Sequence, residues 1–192
     1  DVEFGAQIVV QVFGDAAAAS WVRAEGPGGR LHALDFGTDG GQGDAIRINV
    51  GGAAHPMVSL AQAEGVAEAE RADLQLHMDG RGGFNFVNSK IPASLTASLE
   101  AAGLGLDDIA HFALHQGSAY MLLSLARRVG IPQEKLAMNI ADYGNTVSST
   151  IPLLLETLIG QGAVSGRHLM ISGFGVGLSW ASGLLTFDDD FS

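Results

Sequence analysis

Three short segments carry side chains whose type and spacing could do chemistry: His115-Gln116-Gly117-Ser118, Tyr143-Gly144-Asn145-Thr146, and GFGVGLSWASG at 173–183. Each directly follows a stretch that reads as a strand, and ligands in open α/β sheets bind at strand ends. His115 reads two ways, as a satisfied structural histidine at a strand end or as a proton donor or base. His111, four residues earlier, would suggest a metal pair on a helix. On a strand the two lie about 13 Å apart, too far to share an ion, and no metal site is expected.

Asn145 is either a turn residue ahead of a helix cap or a neutral amide donor to a developing oxyanion. Glycines 173, 175 and 177 serve either a tight turn or a backbone N–H offered to an oxyanion, which needs small neighbours. They form no GxGxxG fingerprint, and there is no phosphate-binding P-loop motif. A serine hydrolase is excluded by the lack of a GxSxG elbow. The chain has no cysteine, so thiol nucleophiles, disulfides and thiolate metal sites are excluded together.

The elements that must position these segments can be read along the chain. Residues 7–13 are β-like and end in the turn signal Phe-Gly-Asp. Residues 16–24 are small and apolar, residues 31–36 are β-like, and the Gly-Pro-Gly-Gly turn at 26–29 between them predicts a hairpin. Residues 37–56 are glycine-rich without periodicity and read as a surface excursion. A short strand is expected at 74–78. Asp79 then offers an N-cap to an amphipathic helix with Phe84, Val87, Ile91, Leu95 and Leu99 on one face. Pro92 should kink or split that helix, and Gly103 should end it. Strands are expected at 111–114, 136–140, 168–172 and 178–187, and a helix capped by Ser118 should run to Gly130. Residues 151–159 are apolar all round, which predicts a helix buried on several sides. Alternating strands and helices with antiparallel ends imply one α/β domain with a mixed sheet.

Composition narrows the partners. At 47% hydrophobic and 16% charged residues, the chain is unusually apolar, so it builds a large core or presents a face to a partner. Ten Lys+Arg against 21 Asp+Glu give a net charge of −11, which argues against nucleic acid. No apolar stretch approaches the roughly 20 residues of a membrane span. The acidic start does not resemble a signal peptide. A cytoplasmic location is expected.

Taken in order, the three segments resemble the second half of condensing enzymes of the β-ketoacyl-acyl-carrier-protein synthase III type. The resemblance rests on His115-Gln116, on Tyr143-Gly144-Asn145-Thr146 and on Phe174-Gly175-Val176-Gly177-Leu178-Ser179-Trp180-Ala181-Ser182. It is extended by a strand entry at Phe13-Gly14-Asp15-Ala16-Ala17-Ala18-Ala19, so it runs from about residue 13 to 187. It implies a thiolase-like half, a layered α-β-α unit on a mixed five-stranded sheet. Residues 13–192 would form this C-terminal domain, and residues 1–12 an inter-half linker and first strand region.

The resemblance further implies a decarboxylative Claisen condensation of an acyl thioester with malonyl-ACP. His115 and Asn145 would stabilise the enolate, with the Val176 backbone N–H completing an oxyanion hole. Phe174 would lie near the acyl pocket, with Phe84, Gln116, Gly175 and Gly177 also binding substrate. The nucleophilic Cys would come from an N-terminal half. Implied partners are that half, acyl carrier protein and further copies in a homo-oligomer such as a dimer. No cofactor is implied beyond acyl-CoA and malonyl-ACP as substrates, and the chain alone should not condense.

The sequence departs from the pattern in places. Gly117-Ser118 replaces Ala-Asn, Tyr120 stands where an Arg implicated in carrier docking is usual, and Val176 replaces the middle Gly. These departures suit a specialised secondary-metabolite ketosynthase or acyltransferase. A non-decarboxylating relative (a thiolase, a hydroxymethylglutaryl-CoA synthase or a chalcone-synthase-like enzyme) fits the Tyr143 and Trp180 segments less well. A non-catalytic subunit that stabilises a catalytic chain would not need His115 and Asn145.

Overall fold

The computed structural model describes residues 12–56, 74–189 and 191. In chain order they form β1 (Gly29–Thr38), β2 (Ile46–Arg47), β3 (His77–Met78), α1 (Gly80–Ala102), β4 (Ile109–Leu114), α2 (Ala119–Val129), α3 (Ile140–Tyr143), α4 (Thr150–Gly160), β5 (His168–Gly175) and β6 (Ser179–Phe187). The main sheet has the order β1-β6-β5-β4, and β2 and β3 pair separately. β4 and β5 run parallel, while β6 is antiparallel to both β5 and β1. Among the described helices none is long and apolar enough to cross a membrane.

Strand alternation divides the core between the two faces of the sheet. Phe112, Leu114, Met170 and Leu184 pack with Ile91 and Leu95 of α1 and Leu122 and Leu125 of α2. On the opposite face Ala113, Leu169 and Phe187 pack with Leu154 and Leu158 of α4. The result is the expected α-β-α layering. A chain of buried hydroxyls, Ser94 to Ser182 (2.8 Å) and Ser182 to Ser172 (2.9 Å), ties α1 to the sheet.

The capping residues act as their chemistry predicts. The Asp79 carboxylate accepts from the Gly82 N–H (2.9 Å), and Gly103 closes α1 in the left-handed region. The Ser118 hydroxyl accepts from the Met121 N–H (3.1 Å), and Gly130 ends α2 likewise.

Several expectations need correction. Pro92 neither kinks nor splits α1, which runs unbroken for 23 residues. An internal proline costs about 3 kcal/mol, but Ile91 and Leu95 on either side are both fully buried, and such burial returns about 1.5–3 kcal/mol each. Residues 136–140 make no strand. Leu136 forms a single bridge to Phe112 and Ala137 N–H donates to the Phe112 carbonyl, after which Ile140 opens α3. The sheet therefore has four strands rather than five.

The predicted hairpin is also absent, because residues 16–24 pair with nothing described and lie exposed, while β1 pairs with β6. The helix expected at 151–159 is found, but α4 buries only the Thr150-Leu154-Leu158 stripe, and its other apolar residues are half-buried. Residues 1–11, including most of the β-like stretch at 7–13, lie outside the described residues.

Leu95→Ala should destabilise the chain by about 2–5 kcal/mol, because it opens a cavity where α1 meets the sheet. Urea unfolding at neutral pH measures the change, and a loss below 1 kcal/mol would show that α1 is not a core element.

Candidate active site

His115 is the first residue beyond β4, and its N–H still follows the sheet, donating to the Ser172 carbonyl (2.9 Å). The backbone is therefore held by the ladder while the side chain has left it. The ring packs edge-on against Phe174 at the end of β5, with centroids 5.4 Å apart and planes at 87°. Nδ1 lies 2.8 Å from Thr150 Oγ1. Burial lowers the pKa of His115 from 6.5 to about 4, so the ring is neutral at pH 7. A methyl group added at Gly117 would lie 3.6 Å from Cδ2 and 3.7 Å from Nε2. Gly117 thus leaves methyl-sized room beside the Cδ2–Nε2 edge of the ring.

Gln116 is fully buried and committed to the backbone. Its Nε2 donates to Leu114 O (2.8 Å) and Ala137 O (3.4 Å), and its Oε1 accepts from Asn139 N (3.2 Å). It fastens the end of β4 to the neighbouring segment. Its amide is thereby occupied by the frame of the site.

Asn145 is held from both sides. Its N–H donates to Val12 O and its carbonyl accepts from Gly14 N, each at 2.9 Å. Gly144 has φ 68, and a side chain there would press on Gly14 N and Val12 O at 3.3 Å, so a glycine is needed. The Asn145 side-chain Oδ1 accepts from the Val147 N–H (2.9 Å). That contact fixes which end of the amide is oxygen. Among the described residues nothing accepts from Nδ2, whose two N–H groups remain available to an acceptor.

Val147 has φ 54, a left-handed conformation costly for a β-branched residue, at about 1–3 kcal/mol. Its N–H serves Asn145 Oδ1. Its carbonyl oxygen lies within hydrogen-bond reach of the Thr150 hydroxyl (3.0 Å), and that hydroxyl also meets His115 Nδ1 (2.8 Å). One strained turn thus connects the two polar side chains through hydrogen bonds, and Phe174 lies against the His115 ring.

Other expected residues lie further out. Val176 stands at the exposed tip of the β5–β6 turn, flanked by Gly175 and by Gly177 at φ 141. Phe84, near the start of α1, stacks on Tyr120 with centroids 5.5 Å apart. Thr150 and Val147 are the residues that sequence reasoning missed. The only signal was a run of small polar residues, Ser148-Ser149-Thr150, ahead of an apolar helix, and nothing in it marks which hydroxyl turns toward the histidine.

The layered α/β fold is that of thiolase-like condensing enzymes. Residues 99–187 match the family model for the 3-oxoacyl-[acyl-carrier-protein] synthase III C terminal. A β-ketoacyl-[acyl-carrier-protein] synthase III of Trichodesmium erythraeum is 32% identical over 172 residues, covering 89% of this chain and 50% of that protein. A 3-oxoacyl-(acyl-carrier-protein) synthase III crystal structure superposes with a TM-score of 0.73 at 35% identity, over 88% of this chain and 50% of the other. A 3-oxoacyl-(acyl-carrier protein) synthase from Burkholderia xenovorans gives 0.70 at 34%, over 81% and 44%. Residues 99–187 thus match the C-terminal domain of the 3-oxoacyl-acyl-carrier-protein synthase III family, and the chain is similar to these synthases along most of its length. It spans about half the length of the curated relatives it matches.

The depressed pKa of His115 gives a stability signature. The folded ring resists protonation while the unfolded ring accepts it near pH 6.5, so between those values the unfolded state binds more protons. The stability this provides is fully present above pH 6.5 and is lost as pH falls toward 4. The loss amounts to up to about 3 kcal/mol. His115→Gln should flatten the decline in urea stability between pH 6.5 and 4 relative to wild type. Parallel declines would mean that the ring is not shielded from water.

Proposed function

We propose that this chain is the enolate-stabilising half of a β-ketoacyl-ACP synthase III-type acyltransferase. The observation that carries the reading is the pairing of a neutral imidazole with a locked carboxamide, joined through Thr150 and Val147. Neither group needs to change charge to donate a hydrogen bond, and both are preorganised, as oxyanion stabilisation requires. The malonyl thioester oxygen would accept from His115 Nε2 and Asn145 Nδ2. As carbon dioxide leaves, the C–C bonding electrons pass into the thioester as an enolate whose oxygen these donors hold. The α-carbon then attacks the acyl thioester on a Cys of an N-terminal half, and the Cys thiolate departs.

This chain has no thiol, so alone it would not condense. Val176 would offer its backbone N–H to the acyl oxyanion, with Phe174, Gly175 and Gly177 shaping the acyl end and Phe84 the approach. Acyl-CoA and malonyl-ACP would be the substrates, in the cytoplasm and without a further cofactor. A specialised carrier or donor is favoured by Tyr120, 69% exposed and stacked on Phe84 where a docking Arg is usual.

In the complete protein, His115→Ala or Asn145→Ala should slow condensation by roughly 10²–10³, the scale of one lost oxyanion donor. Acylation of the thiol should suffer less. Condensation at the normal rate in both variants would remove the enolate role.

The N-terminal half is also the partner whose contact the surface calls for. Trp21 and Val22 are each 86% exposed, and α4 keeps Ile151, Leu153 and Leu155 only half-buried. At about 25 cal/mol per Å², several hundred Å² of such surface strongly favours association. Sedimentation across micromolar dilution should show the isolated chain self-associating. A stable monomer that binds no apolar dye would contradict this.

A further inference from the structure

A neutral imidazole has one ring proton, and the condensation proposed above needs it on His115 Nε2. Which nitrogen carries it is decided by the partner of the other. Here that partner is Thr150 Oγ1, 2.8 Å from Nδ1. A hydroxyl both donates and accepts, so the tautomer follows from where one hydroxyl proton points.

Two acceptors compete for that proton, His115 Nδ1 and the Val147 carbonyl oxygen at 3.0 Å. The carbonyl already accepts the backbone N–H of Thr150, so it is satisfied without the hydroxyl. An imidazole lone pair is a stronger acceptor than a carbonyl that is already engaged. The hydroxyl is well placed to serve it. Thr150 is the first residue of α4, only 3% exposed, with a β-branched side chain stiff at χ1.

We propose that Thr150 is a positioning residue that selects the Nε2–H tautomer of His115 by donating its hydroxyl proton to Nδ1. The inference rests on the condensing-enzyme reading for its purpose, but not for its physics. Through the Val147 turn the same short segment orients the Asn145 amide. Both donors are therefore set by residues 147–150, none of which has to touch the substrate.

The test is nitrogen NMR of histidine-labelled chain at pH 7, with no substrate or thiol present. Wild-type His115 should show a protonated Nε2 and an unprotonated, hydrogen-bonded Nδ1. Thr150→Val keeps the shape and removes the donor. It should move the Nδ1 resonance toward that of an unbonded lone pair and increase the Nδ1–H population, while Thr150→Ser restores the wild-type pattern. A wild-type ring protonated mainly on Nδ1 would overturn the proposal, and that measurement needs no variant to fold. So would a folded Thr150→Val chain with an unchanged His115 spectrum. In the complete protein Thr150→Val should lower kcat for condensation more than it raises KM, with recovery in Thr150→Ser. If the spectra behave as stated but His115→Ala condenses normally, the condensing reading fails and the tautomer assignment stands.

Discussion

The parallel pairing of β4 and β5, buried on both faces, is the constraint on which the site depends. Ile109, Phe112, Ala113, Leu114, Leu169 and Met170 are all fully buried, and such strands leave no room for an uncompensated polar group within their length. Chemistry can begin only where a strand stops. His115 is the first residue past β4, and Phe174 lies at the matching end of β5, so the parallel register delivers them to the same edge. The helix layer on the other face brings α4, whose first residue is Thr150. Position follows from hydrophobic packing, and the polar contacts refine it.

That origin also explains the electrostatics. The imidazole sits at the margin of a dry core, and the largest influence on its pKa is desolvation. A neighbouring carboxylate would have raised that pKa and made the ring cationic near neutrality. The groups around His115 are instead a hydroxyl, an aromatic edge and a glycine. Such surroundings suit a ring that donates from its neutral form and returns to it, rather than one that stores a proton between steps. Among the described residues these contacts of the ring bring no charged group to it.

Much of this was legible in the sequence where a local rule has one outcome. Asp79, Gly103, Ser118 and Gly130 mark helix ends because caps and left-handed glycines act within a few residues. His115 and Asn145 stand out as candidates through the family resemblance rather than by their place, since the strand expected ahead of Asn145 is absent. The failures share a different cause, in that tertiary contacts decide them. Pro92 stays inside α1 because Ile91 and Leu95 are buried whether or not one N–H is missing. Residues 16–24 precede a turn signal but have no described strand to pair with, and a turn signal cannot supply a partner. Residues 136–140 lose their strand to a single bridge and to Gln116, whose buried amide occupies the Ala137 carbonyl and the Asn139 N–H. The Thr150 contact was invisible for a similar reason, since it joins residues 35 apart.

The anchoring of Asn145 adds a last physical consequence. Its side chain is oriented from the C-terminal side, by the Val147 N–H, whereas its backbone is clamped from the N-terminal end of the described chain, by Val12 O and Gly14 N. The clamp has little slack. A Cβ at Gly14 would lie 2.0 Å from the Tyr143 carbonyl oxygen, and one at Gly144 would crowd Val12 and Gly14. Two glycines therefore face each other across the contact, and neither can be enlarged without pushing the strands of backbone apart. The Phe-Gly-Asp segment therefore fixes the backbone from which the Asn145 amide projects. It lies more than 100 residues from Asn145 in sequence, and it reaches the site through backbone bonds alone.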